Sequence, residues 1–214
     1  MSEIAGPDCI VRWTDAAGTH RRKAINRSTT PTFPGLHVTV PDLSAFNARR
    51  VPHEKRTLHY YRAAGPLPSW RDDPNLHAAV HLYASDFVSM FVTVQHLGLD
   101  DNYSALASLS HTVVLHVDAE EMAVQTEDDD DPRGEAVARW FCQEIWTDRA
   151  ADRRGTHHSR IWDERGRHVA TTLQDGLLRL HFTGEEDVEK MRSAWHGGRG
   201  DARVLGGNGR GGKL

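Results

Sequence analysis

Between Leu76 and Leu97 the apolar residues Leu76, Ala79, Val80, Tyr83, Phe87, Met90, Phe91, Val94 and Leu97 recur at helical spacing, which predicts one long helix. Asp73 is placed to cap it, Pro74 suits its first turn, and Gly98 suits its end. Leu82, Ala84, Val88 and Val92 carry apolar character onto the other faces, so the helix is expected to be wrapped by other structure. Asp86 interrupts this pattern midway. An ionised acid buried there would cost roughly several kcal/mol unless something specific compensates, which makes it a candidate working acid. The plainer reading puts Asp86 on a solvated strip with Ser85, Ser89 and Thr93.

Elsewhere the pattern favours strands. Residues 56–62, 110–117, 136–147, 156–163 and 167–182 read as strand-like runs, and 63–74 as a Gly/Pro-punctuated loop. Glu164, Arg165 and Gly166 form a hairpin-turn signal, so the last two strands are expected to pair antiparallel. One buried helix followed by an antiparallel meander is an α+β plan.

The expected organisation has three parts. Residues 1–52 read as an irregular N-terminal segment, in which Arg21, Arg22 and Lys23 form a solvated turn. Residues 53–183 form the domain, with an acidic insertion at 118–139 whose run from Glu127 to Asp131 should repel itself and stay mobile. Residues 184–214 read as a short helix followed by a Gly-rich, basic, disordered tail.

Composition narrows the functional classes. A net charge of −4 leaves no overall footprint for nucleic acid, so a small molecule or a protein is the expected partner. Cys9 and Cys142 lie far apart and make no zinc or CxxC pattern, which fits a reducing compartment. No apolar run reaches membrane-spanning length and residues 1–9 lack a secretory pattern, so a soluble intracellular protein is expected. His77 and His81 stand one helical turn apart, but no HExxH glutamate or third ligand accompanies them, so no metal and no cofactor is expected. The letters GxxxxGK at 207–213 are followed by Leu214 instead of Ser or Thr, and no GxSxG nucleophile elbow occurs.

Three short segments are more specific. His81-Leu-Tyr-Ala-Ser-Asp86, Ala107-Ser-Leu-Ser-His-Thr112 and Ala170-Thr-Thr-Leu-Gln-Asp-Gly-Leu-Leu-Arg179 agree in order and spacing with an acid in a YASD-like helix, a Ser or Thr ahead of a DHS-like strand start, and a Gln in a VxQEG-like strand. Together they resemble the type II acyl-CoA thioesterases, a double-hotdog family, over about residues 56–182, the carboxy-terminal hotdog. The resemblance implies a single hotdog, a long buried helix wrapped by an antiparallel β-sheet. It implies the catalytic residues Asp86, Ser108 and Gln174, with His111 and Thr112 as active-site support. Ser110 stands where the family commonly has an acid.

The implied reaction is hydrolysis of fatty acyl-CoA to free fatty acid and CoA, by a water activated at the aspartate and directed by hydroxyl and amide groups. Read singly, Ser108 is equally a turn cap and Gln174 an outward strand residue. Because the family carries two hotdogs and this chain has room for one, homodimerisation is expected. The alternative is a non-catalytic acyl-binding or assembly subunit, while an acyl-CoA hydratase is disfavoured for want of a clear Asp/His pair. Gly212-Lys213-Leu214 resembles a peroxisomal targeting tripeptide, so the expected location is peroxisomal, otherwise cytoplasmic.

Overall fold

The structure is a computed structural model that describes residues 33–99, 103–127 and 136–181, with the backbone of strands at 4–5, 10–14 and 20–24. Expectations for the middle of the acidic run, the helical pattern after residue 184 and the C-terminal tail lie outside the described residues.

The described part of residues 1–52 is not irregular as expected. Strands β1 (Ile4–Ala5), β2 (Ile10–Thr14) and β3 (His20–Ala24) form a three-stranded antiparallel sheet, so Arg21, Arg22 and Lys23 lie in a strand and not in a turn. Strand β4 (Leu36–Thr39) follows, and then the short helix α1 (Ser44–Asn47). β4 is antiparallel to β5 (Thr57–Ala63), its Leu36 and Val38 buried and His37 exposed, an alternation too short to stand out in a polar stretch.

The long helix forms, in two pieces. Helix α2 (Pro74–Ser85) starts where expected, with the Asp73 carboxylate accepting the Leu76 N–H at 3.0 Å and Pro74 in the first turn. It stops at Ser85, and the chain re-enters helix as α3 (Ser89–His96), which ends before Gly98 at φ 70°. Val88 lies between them at φ 49°, a left-handed conformation that costs a β-branched residue about 1–2 kcal/mol. No Gly or Pro marks this break.

Strand β6 (Tyr103–Leu115) begins seven residues before the expected start at Ser110. The insertion is ordered at both ends, as α4 (Ala119–Met122), β7 (Gln125–Glu127) and β8 (Ala136–Ala138), with β7 and β8 paired antiparallel. Strands β9 (Phe141–Trp146), β10 (Ala150–Ala151), β11 (Arg154–Asp163) and β12 (His168–Leu180) follow. The main sheet is antiparallel in the order β4-β5-β9-β11-β12-β6, with β10 beside β11. β11 and β12 form the expected hairpin, with Gly166 at φ 78° in its turn.

This curled sheet wraps α2 and α3. Tyr61, Phe141, Ile161, Val169 and Ala170 from the strands pack with Ala84, Phe87, Met122 and Val124 in one core, where each large apolar side chain contributes roughly 1.5–3 kcal/mol by burial. His81 packs edge-on against Phe141 at 4.6 Å. The wrapping is incomplete: Leu82, Tyr83 and Phe91 stay exposed on the outer side of the helices.

Candidate active site

The break between α2 and α3 places the three segments together. Asp86 is the residue after α2, its N–H bonded to Tyr83 O at 3.3 Å and its carbonyl reached by Ser89 N–H at 3.4 Å, so the backbone tightens around it. Gln174 faces it from the inner side of β12, and Ser108 lies on β6 beside the bulge that opens between Asp175 and Gly176. Gln174 Nε2 donates to Asp86 Oδ1 at 2.8 Å, and Ser108 Oγ donates to Gln174 Oε1 at 3.2 Å. Gln174 is fully buried and joins the other two residues, so neither the outward-facing reading of Gln174 nor the turn-cap reading of Ser108 holds.

Three expectations are corrected. Asp86 is exposed, not buried in apolar surroundings, because the helix is open on that side. The solvated-strip alternative fails too, since Ser85 and Thr93 are fully buried and Ser89 nearly so; they face the sheet. Thr112 does not join the group: it pairs with Leu173, on the face of the sheet opposite His111 and Gln174.

His111 does join it. It is opposite Gln174 in the β6–β12 ladder, and its Nε2 lies 3.0 Å from Ser85 Oγ. Ser85 Oγ already donates to Leu82 O at 2.7 Å, so it accepts here and His111 Nε2 carries the proton. Burial lowers the His111 pKa, and the nearby Asp86 charge opposes that shift.

The helical histidines are structural. His77 Nε2 donates to Pro68 O at 2.8 Å and its Nδ1 accepts from Val124 N–H at 3.1 Å. His81 Nε2 donates to Met122 O at 2.7 Å and its Nδ1 accepts from Tyr61 Oη at 2.6 Å. His77 ties α2 to the loops at Pro68 and Val124 and His81 ties it to β5 and α4, with both nitrogens of each ring used, which leaves no lone pair for a metal.

Sequence reasoning missed a polar layer between the helices and the sheet. Gln143 Nε2 donates to Ser159 Oγ at 2.9 Å and to Ser85 O at 3.2 Å, Ser159 Oγ lies 2.5 Å from Thr172 Oγ1, and Thr147 Oγ1 donates to Thr93 Oγ1 at 3.2 Å. His59 and His157 are buried in the same layer. β11 carries polar residues at both parities, His157, His158, Ser159 and Arg160, so alternation gave no sign of which faced inward.

A family model described as acyl-CoA thioesterase C-terminal domain matches residues 12–178. The acyl-CoA thioesterase II TesB2 from Mycobacterium marinum has a similar structure, at TM-score 0.53 and 21% identity, over 76% of this chain and 57% of that one. A hot dog fold protein of unknown function from Alicyclobacillus acidocaldarius follows at TM-score 0.49 and 18% identity, covering 73% of this chain and 53% of that one. The tesB protein MAP1729c from Mycobacterium avium subs paratuberculosis aligns at TM-score 0.48 and 16% identity, covering 83% of this chain and 69% of that one. No curated protein matches. This chain therefore spans little more than half the length of the M. marinum protein, whose likeness shows the hotdog fold. With the model match running through nearly the whole described sheet, the chain belongs to the acyl-CoA thioesterase C-terminal domain family.

Proposed function

We propose that this chain is an acyl-CoA thioesterase that hydrolyses fatty acyl-CoA to free fatty acid and CoA in fatty acid metabolism, with Asp86 as general base. The observation that supports it is the bridging amide: Gln174 donates its N–H to Asp86 and accepts a hydrogen bond from the Ser108 hydroxyl with its oxygen. This polarity leaves Asp86 Oδ2 and a lone pair of Ser108 Oγ as acceptors. A water donating to both has its own lone pair free for the acyl carbonyl carbon.

Proton transfer to Asp86 and attack give a tetrahedral oxyanion. Its collapse breaks the C–S bond, and the CoA thiolate leaves with the proton that Asp86 took. The carboxylic acid then ionises in water. No bond to the protein forms at any stage.

The active form in this reading is a homodimer. β6 is the outermost strand of the sheet and carries Ser108 and His111. Among the described residues nothing pairs with its outer edge, and Leu109 is 55% and Val114 49% exposed along it. An open apolar edge of this length is a pairing surface. A second copy there would cover Asp86 and Ser108. We also propose the peroxisomal address read from Gly212-Lys213-Leu214, with the cytoplasm as the alternative.

One observation favours the second reading, an acyl-binding or assembly subunit without turnover: Asp86 and Ser108 are exposed within a single chain. Thiol release from acyl-CoA, followed with a thiol-reactive dye, separates the two. Steady release that falls about 10²- to 10⁴-fold in folded Asp86→Asn supports hydrolysis. Binding of acyl-CoA without release establishes the subunit.

A further inference from the structure

The layer beside the trio contains polar atoms that the described protein leaves unused. His157 is fully buried, and neither its Nδ1 nor its Nε2 has a hydrogen-bond partner among the described residues. The same holds for His59 Nδ1 and Gln143 Oε1. A buried donor or acceptor is almost always paired, so the two nitrogens of His157 are expected to take their partners from a bound water or ligand. Burial, then the neighbouring His59, His111 and His158, push the His157 pKa down to about 3, and His59 is held at about 4 by burial. Both rings are therefore neutral near pH 7, each with one N–H and one lone pair.

Their placement relates them to the site. His157 is opposite Gln174 in the β11–β12 ladder, and Gln174 is opposite His111 in the β12–β6 ladder. His157 therefore stands one strand beyond the bridging amide, about 5 Å away, on the side opposite His111. The two helices facing this layer turn Ser85, Ser89 and Thr93 toward it, and Phe87 packs edge-on against His59 at 5.1 Å. Beyond it, Met90 packs into the space above Gly155 and Gly176, which closes that end.

We propose that His157 is a specificity-determining residue that selects acyl groups bearing a hydroxyl or keto oxygen within the first few carbons of the carbonyl. A hydroxyl there donates to the free lone pair of the His157 ring or accepts its N–H; a keto oxygen accepts only. An unsubstituted acyl chain would leave the imidazole nitrogens unpaired, and that difference is the selectivity. This deepens the thioesterase reading and rests on the same site.

The test uses the full chain and non-hydrolysable thioether analogues of CoA, with 3-hydroxyacyl, 4-hydroxyacyl and unsubstituted acyl groups of equal length, measured by titration calorimetry. The expected result is about tenfold or more tighter binding of a hydroxylated analogue, a preference lost in His157→Val and partly kept in His157→Gln. Equal binding of all three by the natural chain overturns the proposal, as does a preference that survives in a folded His157→Val protein. If the preference is present but no acyl-CoA is hydrolysed, selection stands and the thioesterase reading falls. If no analogue binds, both fall.

Discussion

Gln174 and Asp86 are 88 residues apart in sequence and are joined by a 2.8 Å hydrogen bond from the buried amide to an exposed carboxylate. The amide also accepts from Ser108, so its orientation is fixed from both ends. Gln174→Glu turns the donor into a second carboxylate beside Asp86, and like charges at that distance cannot both ionise freely. Thioester hydrolysis at pH 7 is expected to fall about 10²-fold or more, while Gln174→Ala, which removes positioning alone, falls less. Turnover measured for both variants, with far-UV circular dichroism as the folding control, checks this order.

The β6 edge carries the prediction about assembly. Leu109 is more than half exposed on the strand that also holds Ser108. Leu109→Lys puts a charge where a second copy would pair and is expected to shift the protein to monomer, with hydrolysis falling in parallel. Sedimentation velocity alongside the thiol assay reads both. A monomeric natural chain with full activity would contradict the shared site.

Buried histidines make stability depend on acidity. His59, His81 and His96 have pKa values lowered to about 4 and His157 to about 3, chiefly by burial, against 6.5 when unfolded. As pH falls below 6.5 the unfolded chain takes up protons that the folded chain refuses, so stability declines until the folded values are reached. Each such group contributes a slope of about 1.4 kcal/mol per pH unit over that window. Urea unfolding at pH 7.5 and 5.5 is expected to show a marked loss at the lower pH, and a smaller loss in His157→Val, which has one group fewer.

The hairpin after β11 depends on a buried carboxylate. Asp163 is fully buried, its Oδ1 accepting the backbone N–H groups of Arg165 and Arg167 at 2.9 and 2.8 Å. Its Oδ2 accepts from Arg167 Nε at 2.8 Å and lies 3.7 Å from Arg139, itself mostly buried. Asp163→Ala would leave Arg139 without this partner and is expected to cost about 3–5 kcal/mol. Thermal unfolding measures the loss, and Asp163→Asn, which keeps the Oδ1 acceptor, should lose less.

How much of this was legible in the sequence follows from what each signal encodes. Asp73, Pro74 and Gly98 act through the backbone next to them, and the helix they bracket formed with those ends. The apolar residues around that helix predicted enclosure on every side. Leu82, Tyr83 and Phe91 are exposed nonetheless, because a pattern records that a face is apolar and not what covers it. Asp86 was misjudged as buried for the same reason. The break at Val88 was illegible, since nothing about valine prefers a positive φ, and tertiary packing imposed it. Motif order brought Asp86, Ser108 and Gln174 together, yet it carried Thr112 along with His111 although adjacent strand residues face opposite ways.

Gly176 ties the site to the packing of α3. A Cβ built on Gly176 would lie 2.4 Å from Met90 Sδ and 2.7 Å from its Cγ, too close for a small adjustment of the side-chain tip to relieve. Met90 is the second residue of α3, two positions after Val88, and Gly176 is two positions after Gln174 on β12. Gly176→Ala therefore pushes the start of α3 away from β12 and stretches the Gln174–Asp86 bond across the same gap. Overpacking of this kind is expected to cost about 1–3 kcal/mol, and Met90→Ala alone about 2–5 kcal/mol through the cavity it leaves. Combined, the added methyl occupies part of that cavity, so the double variant should be more stable than the sum of the two losses predicts. Chemical unfolding of all four proteins gives that coupling energy. Hydrolysis should follow it, failing in Gly176→Ala and returning in part in the double variant; full activity in Gly176→Ala would show that Gln174 and Asp86 tolerate the displacement.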